Sequence, residues 1–453
     1  MRLTTLLLAQ LLLTATAALG GSRVYIVLVD ALDASFVSEQ LTPHLWQLAT
    51  APDARGAFYP HAQAIMPSVT NPNHAAVMTG TYAEAHGIVG NLLWNRTSGT
   101  PTRSEGADLE VETLYTVVEK ERPSLTTAGV FGKARLVSLF GNVPGRQHRP
   151  DVLWGDPESE EEPIDPRAGF ASDERTMNEA LRVITERDPD LLFVALPDVD
   201  RTAHLFGPAS NQARRAVLEA DRQLGRLVDL TRRLGIWNHL VLMVTADHGM
   251  ESVEPDPSRR YPIVLFGREL ARAGLTDVWP LTSGGIEYVA LAGKAPTALD
   301  HVQAERLRAV RALALAQPEI AEAWYRLPNP ADGGDANMLA RVHPDWRLAH
   351  PLAGELVLVA APNYFFADPF SPHLGGLAGE HGGPGQRAIA ILVTGGDPRL
   401  RPAARGETND RTAANPDLGQ TAAWVLGVRP PRFVSGGAVE ERLRGRILRE
   451  AFE

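Results

Sequence analysis

Val24-Tyr25-Ile26-Val27-Leu28-Val29-Asp30 is an uninterrupted apolar run that ends in an acidic residue. Two similar runs follow, at Leu191–Leu196 and Leu240–Thr245. None of the three alternates apolar and polar residues, which is typical of parallel strands buried on both faces. The pattern therefore predicts an α/β fold with a central, mostly parallel sheet.

Side chains that bind metals follow each of these runs and occur again in a glycine-rich segment near the C-terminus: Asp30, Asp200, His204, Asp247, His248 and His381. Taken singly, each has an ordinary alternative, such as a helix cap, a turn, an exposed helical pair or a loop histidine. Open α/β sheets, however, bind ligands at the carboxyl ends of their strands. Zinc accepts Asp oxygens and His nitrogens. Together the residues indicate a metal site at this edge of the sheet.

A second informative segment is Thr70-Asn71-Pro72-Asn73-His74. Proline is favoured in the first turn of a helix, so Thr70 is expected at or just before a helix N-terminus, where free N–H groups suit a phosphate. The hydroxyl has two possible roles, as a phosphoryl-accepting nucleophile or as an N-cap. The segment alone favours the cap. Nearby metals favour the nucleophile, because an alcohol needs a base or a metal to attack.

This set of motifs resembles the alkaline phosphatase superfamily, and within it the type I phosphodiesterase/nucleotide pyrophosphatase family. The resemblance rests on Thr70 with Pro72-Asn73, Thr79-Gly80, His86-Gly87-Ile88, Asn91, Asp200-x-x-x-His204 with Gly207-Pro208, Asp247-His248-Gly249-Met250 and His381-Gly382. It implies an alkaline-phosphatase-like α/β sandwich, with the sheet flanked by helices, and hydrolysis of phosphodiester or pyrophosphate bonds.

The resemblance also implies roles for single residues. One zinc ion would be held by Asp30, Asp247, His248 and the Thr70 oxygen, and the other by Asp200, His204 and His381. Thr70 would form a phospho-threonine intermediate. Asn91 and the backbone N–H of Asn71 would hold a phosphoryl oxygen, whereas His74 would not be a ligand. Mn²⁺ or Fe could replace zinc at such Asp/His sites.

The substrate stays open between phosphodiesters, phosphomonoesters and phosphonates. Vertebrate-type members have a base-stacking aromatic where this chain has Asn71, and the Thr-Asn-Pro-Asn run resembles phosphonoacetate hydrolase, which holds a carboxylate with two lysines. Lys133 and Arg135 fall in the comparable region and, on a strand, would face the same side; the alternative is a solvated strand edge. Trp94 is either a substitute stacking surface or a packing residue.

Composition limits the partners and the compartment. The chain has 453 residues and no Cys. Its net charge of −10 argues against binding a nucleic-acid polymer. Residues 1–20 have the pattern of a signal peptide, and their apolar core is too short for a stable membrane anchor. The expected location is therefore periplasmic or secreted, with a small phosphorylated or phosphonate substrate.

Three segments are expected after the signal peptide. Residues 21–254 and 376–453 would form the catalytic domain, and 255–375, with mixed strand and helix patterns, a small inserted α/β cap. Residues 145–170, rich in Pro, Gly and acids, are expected to be a surface excursion. An inactive binding protein on the same fold is the alternative of another class; the presence of every motif ligand disfavours it.

Overall fold

The computed structural model describes residues 21–141, 149–155, 170–253, 262–367, 377–403 and 408–453. The predicted signal peptide lies outside these residues. Within them, no helix combines the length and the apolar character that crossing a membrane requires.

The strands alternate with helices along most of the chain. The strands are β1 Arg23–Val29, β2 Ala57–Gln63, β3 Leu92–Asn95, β4 Thr100–Arg103, β5 Thr127–Phe131, β6 Val152–Gly155, β7 Leu191–Leu196, β8 Leu240–Thr245, β9 Glu251–Ser252, β10 Ile263–Val264, β11 Val278–Ser283, β12 Ile286–Leu291, β13 Ile320–Tyr325, β14 Leu356–Ala360, β15 Phe365–Phe366, β16 Gly379–Glu380 and β17 Ala388–Gly395. The α-helices are α1 Pro43–Thr50, α2 Thr70–Thr79, α3 Ala83–His86, α4 Leu114–Glu121, α5 Ala134–Gly141, α6 Asp173–Arg187, α7 Asp198–Phe206, α8 Asn211–Arg233, α9 Phe266–Arg272, α10 His301–Leu315, α11 Leu339–Val342 and α12 Asn415–Leu426.

A seven-stranded sheet forms the centre of the molecule, in the order β2-β17-β8-β1-β7-β5-β6. The five strands from β8 to β6 are parallel, and β17 runs antiparallel to β8 and β2. The three apolar runs lie side by side as β8, β1 and β7, with nearly every residue buried. Helices cover the sheet; α12 contacts β1 and β8, and α6 contacts β5 and β7. The predicted α/β class is confirmed.

Two local predictions are wrong. Lys133 and Arg135 do not lie on a strand, because β5 ends at Phe131 and Arg135 belongs to α5. Residues 145–170 are not simply a surface excursion, since β6 forms an edge of the central sheet by pairing with β5. Most of that segment lies outside the described residues.

The region after β9 builds a second, antiparallel sheet in the order β11-β12-β14-β13. Helix α10 packs on β13 and β14 and encloses a separate apolar core with them. The Tyr288 hydroxyl on β12 donates to the Val89 carbonyl at 2.7 Å, which links this sheet to the segment between α3 and β3. The pairing of β10 with β15 brings the two ends of the region together. The boundaries of the cap, 255–375, stay a prediction.

The turn between β11 and β12 packs against the backbone of a predicted ligand. The Gly285 N–H donates to the His381 carbonyl at 3.0 Å. At Gly284, φ is +69°, and a Cβ atom there would lie 1.8 Å from the same carbonyl oxygen. A residue without a side chain is therefore required at this contact.

We expect Gly284→Ala to lower the free energy of unfolding by more than Gly274→Ala. Gly274 has nearly the same φ, +72°, but no atom within 4 Å of a built Cβ, so it measures only the left-handed backbone cost of about 1–2 kcal/mol. Gly284→Ala must in addition displace the backbone at His381. Urea unfolding of both variants makes the comparison, and equal losses would contradict the close contact.

Candidate active site

The site is built at the carboxyl ends of four neighbouring strands. Asp30 follows β1, Asp247 follows β8, Asp200 lies in the first turn of α7 after β7, and Lys133 follows β5. Because these strands are adjacent and parallel, their ends meet at one edge of the sheet. All four side chains are buried; Asp247 has no exposed surface.

Three histidines face this cluster, and backbone carbonyls hold all three in the same tautomer. The Nδ1 atoms of His204, His248 and His381 each lie 2.9 Å from a backbone carbonyl, that of Gly379, Gly249 and Ser68 respectively. Nδ1 must carry the proton in such a bond, which leaves Nε2 with a free lone pair. A histidine fixed in this way by a carbonyl is the usual arrangement in metal sites.

The first predicted ligand set comes together in the structure. His248 Nε2 lies 3.6 Å from Asp30 Oδ1 and 3.4 Å from Asp247 Oδ2. One oxygen of Asp247 accepts from the N–H groups of Ala31 and His248 at 3.1 and 3.0 Å, so only its second oxygen is available to an ion.

The second predicted set also converges. Asp200 Oδ1 lies 3.3 Å from His204 Nε2 and 3.6 Å from His381 Nε2. The rings of His248 and His381 stack with centroids 3.7 Å apart, so the two sets are neighbours. Ligands about 2.0–2.2 Å from one tetrahedral ion are spaced by about 3.4 Å, which matches these separations.

The donor atoms fit cations rather than hydrogen bonds within the protein. Asp30 Oδ1, Asp200 Oδ1, Asp247 Oδ2 and His248 Nε2 are buried without a hydrogen-bond partner. Buried polar atoms are rarely left in this state. Burial, with the negative charges of Asp200 and Asp247, raises the pKa of Asp30 to about 8. Cations at the two sets would supply the missing partners and balance the charge.

Lys133 lies among the ligand sets and is not exposed to the solvent. Its Nζ is 2.5 Å from Asp30 Oδ2 and 2.8 Å from Asp200 Oδ2, and it donates to Thr70 Oγ1 at 3.3 Å. Burial alone would lower the pKa of Lys133, but the carboxylates of Asp200 and Asp30 outweigh it and the pKa is raised. The ammonium thus bridges the two sets and the Thr70 hydroxyl.

Thr70 begins α2, and the N-cap is Val69. Because Val69 occupies the N-cap position, the N-cap interpretation of Thr70 is wrong; the Thr70 hydroxyl accepts from Lys133 Nζ. The hydroxyl instead borders the cavity in front of the two ligand sets. His74 lies one turn further along α2, and its Nδ1 is 2.9 Å from the Thr70 carbonyl. The His74 ring is therefore hydrogen-bonded to the backbone of its own helix.

The two asparagines have different positions. The Asn71 N–H donates to Asn91 Oδ1 at 2.8 Å, which orients the Asn91 amide beside Thr70 in the cavity wall. The Asn71 side chain is buried and donates to Ser104 Oγ at 2.9 Å. Its side chain is thus turned away from the lining of the cavity. In this structure the Asn71 N–H is committed to Asn91.

Trp94 packs against Trp279, with ring centroids 5.5 Å apart, and against an apolar cluster that includes Leu281 and Tyr288 of the second sheet. This geometry favours the packing alternative for Trp94 over the stacking surface.

A cavity of about 230 Å³ opens in front of these groups. Its wall contains the predicted Arg135 and several residues that the sequence does not predict, among them Phe170, Arg201, Leu205, Ser283 and Glu380. Glu380 could have been noticed, because it directly precedes His381. The same holds for Arg201 and Leu205, which directly follow Asp200 and His204. Phe170 and Ser283 come from segments without a predicted ligand and carry no local signal.

Known relatives match a large part of the chain. An uncharacterised pyrophosphatase/phosphodiesterase of Schizosaccharomyces pombe is 26% identical over 266 residues, 57% of this chain and 50% of that protein. The rat ectonucleotide pyrophosphatase/phosphodiesterase family member 7 is 26% identical over 197 residues, 42% of each chain. The chain therefore spans half or less of the length of these relatives.

Solved structures share the fold. Murine ectonucleotide pyrophosphatase/phosphodiesterase 5, as an inactive variant in complex with AMP, has a TM-score of 0.66 at 18% identity over 90% of this chain and 96% of that one. Phosphonoacetate hydrolase of Sinorhizobium meliloti in complex with phosphonoformate has a TM-score of 0.62 at 19% identity over 89% and 96%. The family model for type I phosphodiesterase/nucleotide pyrophosphatase matches residues 24–384, and the chain belongs to that family.

Proposed function

We propose that this chain is an exported, metal-dependent phosphohydrolase that cleaves phosphodiester or pyrophosphate bonds through a phospho-threonine. The observation that carries the proposal is the convergence of one hydroxyl, Thr70, with two sets of carboxylates and imidazoles, several of whose donor atoms are buried without a hydrogen-bond partner. Family membership supports the same reaction class.

The two ligand sets suit Zn²⁺, and Mn²⁺ or Fe would also accept them. When bound, two such cations would lower the pKa of the Thr70 hydroxyl and stabilise negative charge on the leaving oxygen. The protein contributes fixed geometry: three histidines locked by backbone carbonyls and a hydroxyl held at a helix start.

The reaction would proceed in two displacements. Thr70 Oγ1 attacks phosphorus, an Oγ1–P bond forms, the bond to the leaving oxygen breaks, and the proton given up by the hydroxyl ends on that leaving oxygen. Water then attacks the phospho-threonine, a bond from the water oxygen to phosphorus forms, the Oγ1–P bond breaks, and one proton of the water returns to Thr70 Oγ1. In both steps the Asn91 amide donates to a non-bridging phosphoryl oxygen, where charge develops. The Asn71 N–H can join it only by releasing Asn91 Oδ1.

The substrate we propose is a small phosphorylated molecule, in keeping with a cavity of about 230 Å³. A solved neighbour binds AMP, but the buried Asn71 of this chain offers no stacking ring beside Thr70. We further propose a periplasmic or secreted location, from the signal-peptide pattern of residues 1–20.

A second candidate, carbon–phosphorus hydrolysis of a phosphonate with a carboxylate, is favoured by one observation. Arg135 lines the cavity, and a solved neighbour binds phosphonoformate. Lys133, in contrast, is already engaged by Asp30 and Asp200, and Arg201, which also lines the cavity, pairs with Asp198 at 3.3 Å. Any additional anion on the substrate would therefore be met by Arg135.

Thr70→Ala should reduce kcat for bis(4-nitrophenyl) phosphate by roughly 10³-fold or more, because the covalent step is lost. Thr70→Ser keeps a hydroxyl and should retain much more activity. Metal content, measured by mass spectrometry of the purified variants, should stay close to that of the wild type. A Thr70→Ala enzyme that turns over at the wild-type rate would disprove the nucleophile.

Arg135→Gln should separate the two candidates. If Arg135 holds a second anion, KM for phosphonoacetate should rise roughly tenfold or more, while KM for bis(4-nitrophenyl) phosphate stays unchanged. Arg214→Gln, at an exposed position on α8, is the matched control. A wild-type enzyme that cleaves the diester and leaves phosphonoacetate intact removes the second candidate. Equal KM changes for both substrates would refute the role of Arg135.

A further inference from the structure

We infer that Glu380 is an additional ligand of the cation held by Asp200, His204 and His381. The inference rests on the proposed two-metal function and goes beyond it, since neither the sequence motifs nor the predicted ligand sets include Glu380. It would give this second site two imidazoles and two carboxylates.

The short strand β16 aims Glu380 at this site. Its Gly379 carbonyl receives the Nδ1 proton of His204 at 2.9 Å, and the Glu380 carboxylate accepts from the His381 N–H at 3.1 Å. Glu380 is thus fixed between the two histidines of the second set. His204, Glu380 and His381 each offer one donor atom, and these atoms lie within 4.8 Å of one another.

The charge and the position of Glu380 agree with a role as a metal ligand. Glu380 lines the cavity beside His204 and His381. Its carboxylate would be the second of the set, in which Asp200 supplies the first. Asp200 Oδ1 is buried and unpartnered within 3.6 Å of both imidazole Nε2 atoms. A divalent ion there would be balanced by two carboxylates rather than one.

The extra ligand has a consequence for metal choice. Catalytic zinc sites commonly use three protein ligands and keep one position for water or substrate. A fourth protein ligand raises the coordination number once substrate binds, and added carboxylate favours Mn²⁺ relative to a site richer in histidine. The second site should therefore be less selective for zinc than the first.

Glu380→Gln and Glu380→Ala distinguish ligation from positioning. Glutamine can still accept from the His381 N–H but loses the carboxylate, whereas alanine loses both. Glu251→Gln is the matched control, because Glu251 pairs with Glu380 across β9 and β16 and undergoes the same charge change outside the ligand group. Metal binding is measured on the metal-stripped full chain by competition with a chromophoric chelator, first with Zn²⁺ and then with Mn²⁺.

Both Glu380 variants should bind the first equivalent of Zn²⁺ normally and the second roughly 10–100-fold more weakly, with Glu251→Gln unchanged. The Mn²⁺ affinity of the second site should fall by a larger factor than the Zn²⁺ affinity. Wild-type affinity in Glu380→Gln would show that Glu380 only positions the loop and would overturn the inference, as would an equal loss in Glu251→Gln. A wild-type chain that binds no second equivalent would instead count against the proposed function itself.

Discussion

The rest of the structure depends on the burial of three carboxylates, Asp30, Asp200 and Asp247, at one edge of a parallel sheet. Negative charges that are buried close together repel one another strongly, and each carboxylate also loses the free energy of its hydration. Lys133 offsets part of this charge from within the cluster. The unpartnered oxygens that remain support the proposal that cations complete the cluster. The same concentration of negative charge would destabilise the protein without metal and would give the proposed site its affinity for cations.

The sheet order makes this convergence possible. Strands β8, β1, β7 and β5 are neighbours, so four segments far apart in sequence deliver their ends to one place. Helix α2 starts there as well and brings Thr70 with it. The turn at Gly284 then holds the His381 segment from the side of the second sheet. Ligand geometry and the packing between the two sheets are thus physically coupled.

The sequence predicts those parts of the fold and of the candidate site that have a local pattern, and it does not predict those that depend on tertiary contacts. The candidate ligands can be predicted because a buried parallel strand has a plain signature and its polar end-residue stands out, as at Asp30. The two-residue spacing of Lys133 and Arg135 predicts a shared face only on a strand, and the chain turns into helix α5 just after β5. The local sequence at Thr70 does not separate a cap from a nucleophile, since both occur at helix starts. Phe170 and Ser283 reach the cavity through tertiary packing, which leaves no local pattern. The Asn71 N–H donates to Asn91 and the Asn71 side chain to Ser104, 33 residues away, and neither contact is visible in the local sequence.

The central claim is that two cations complete the cluster. The most direct test is anomalous diffraction at the zinc edge from crystals of the full mature chain grown with zinc. The account predicts two peaks about 3.5–4 Å apart, one touching Asp30, Asp247 and His248 and the other touching Asp200, His204 and His381. The account would be contradicted by an anomalous map at saturating zinc that shows no peak at either ligand set, while Lys133 still bridges Asp30 and Asp200.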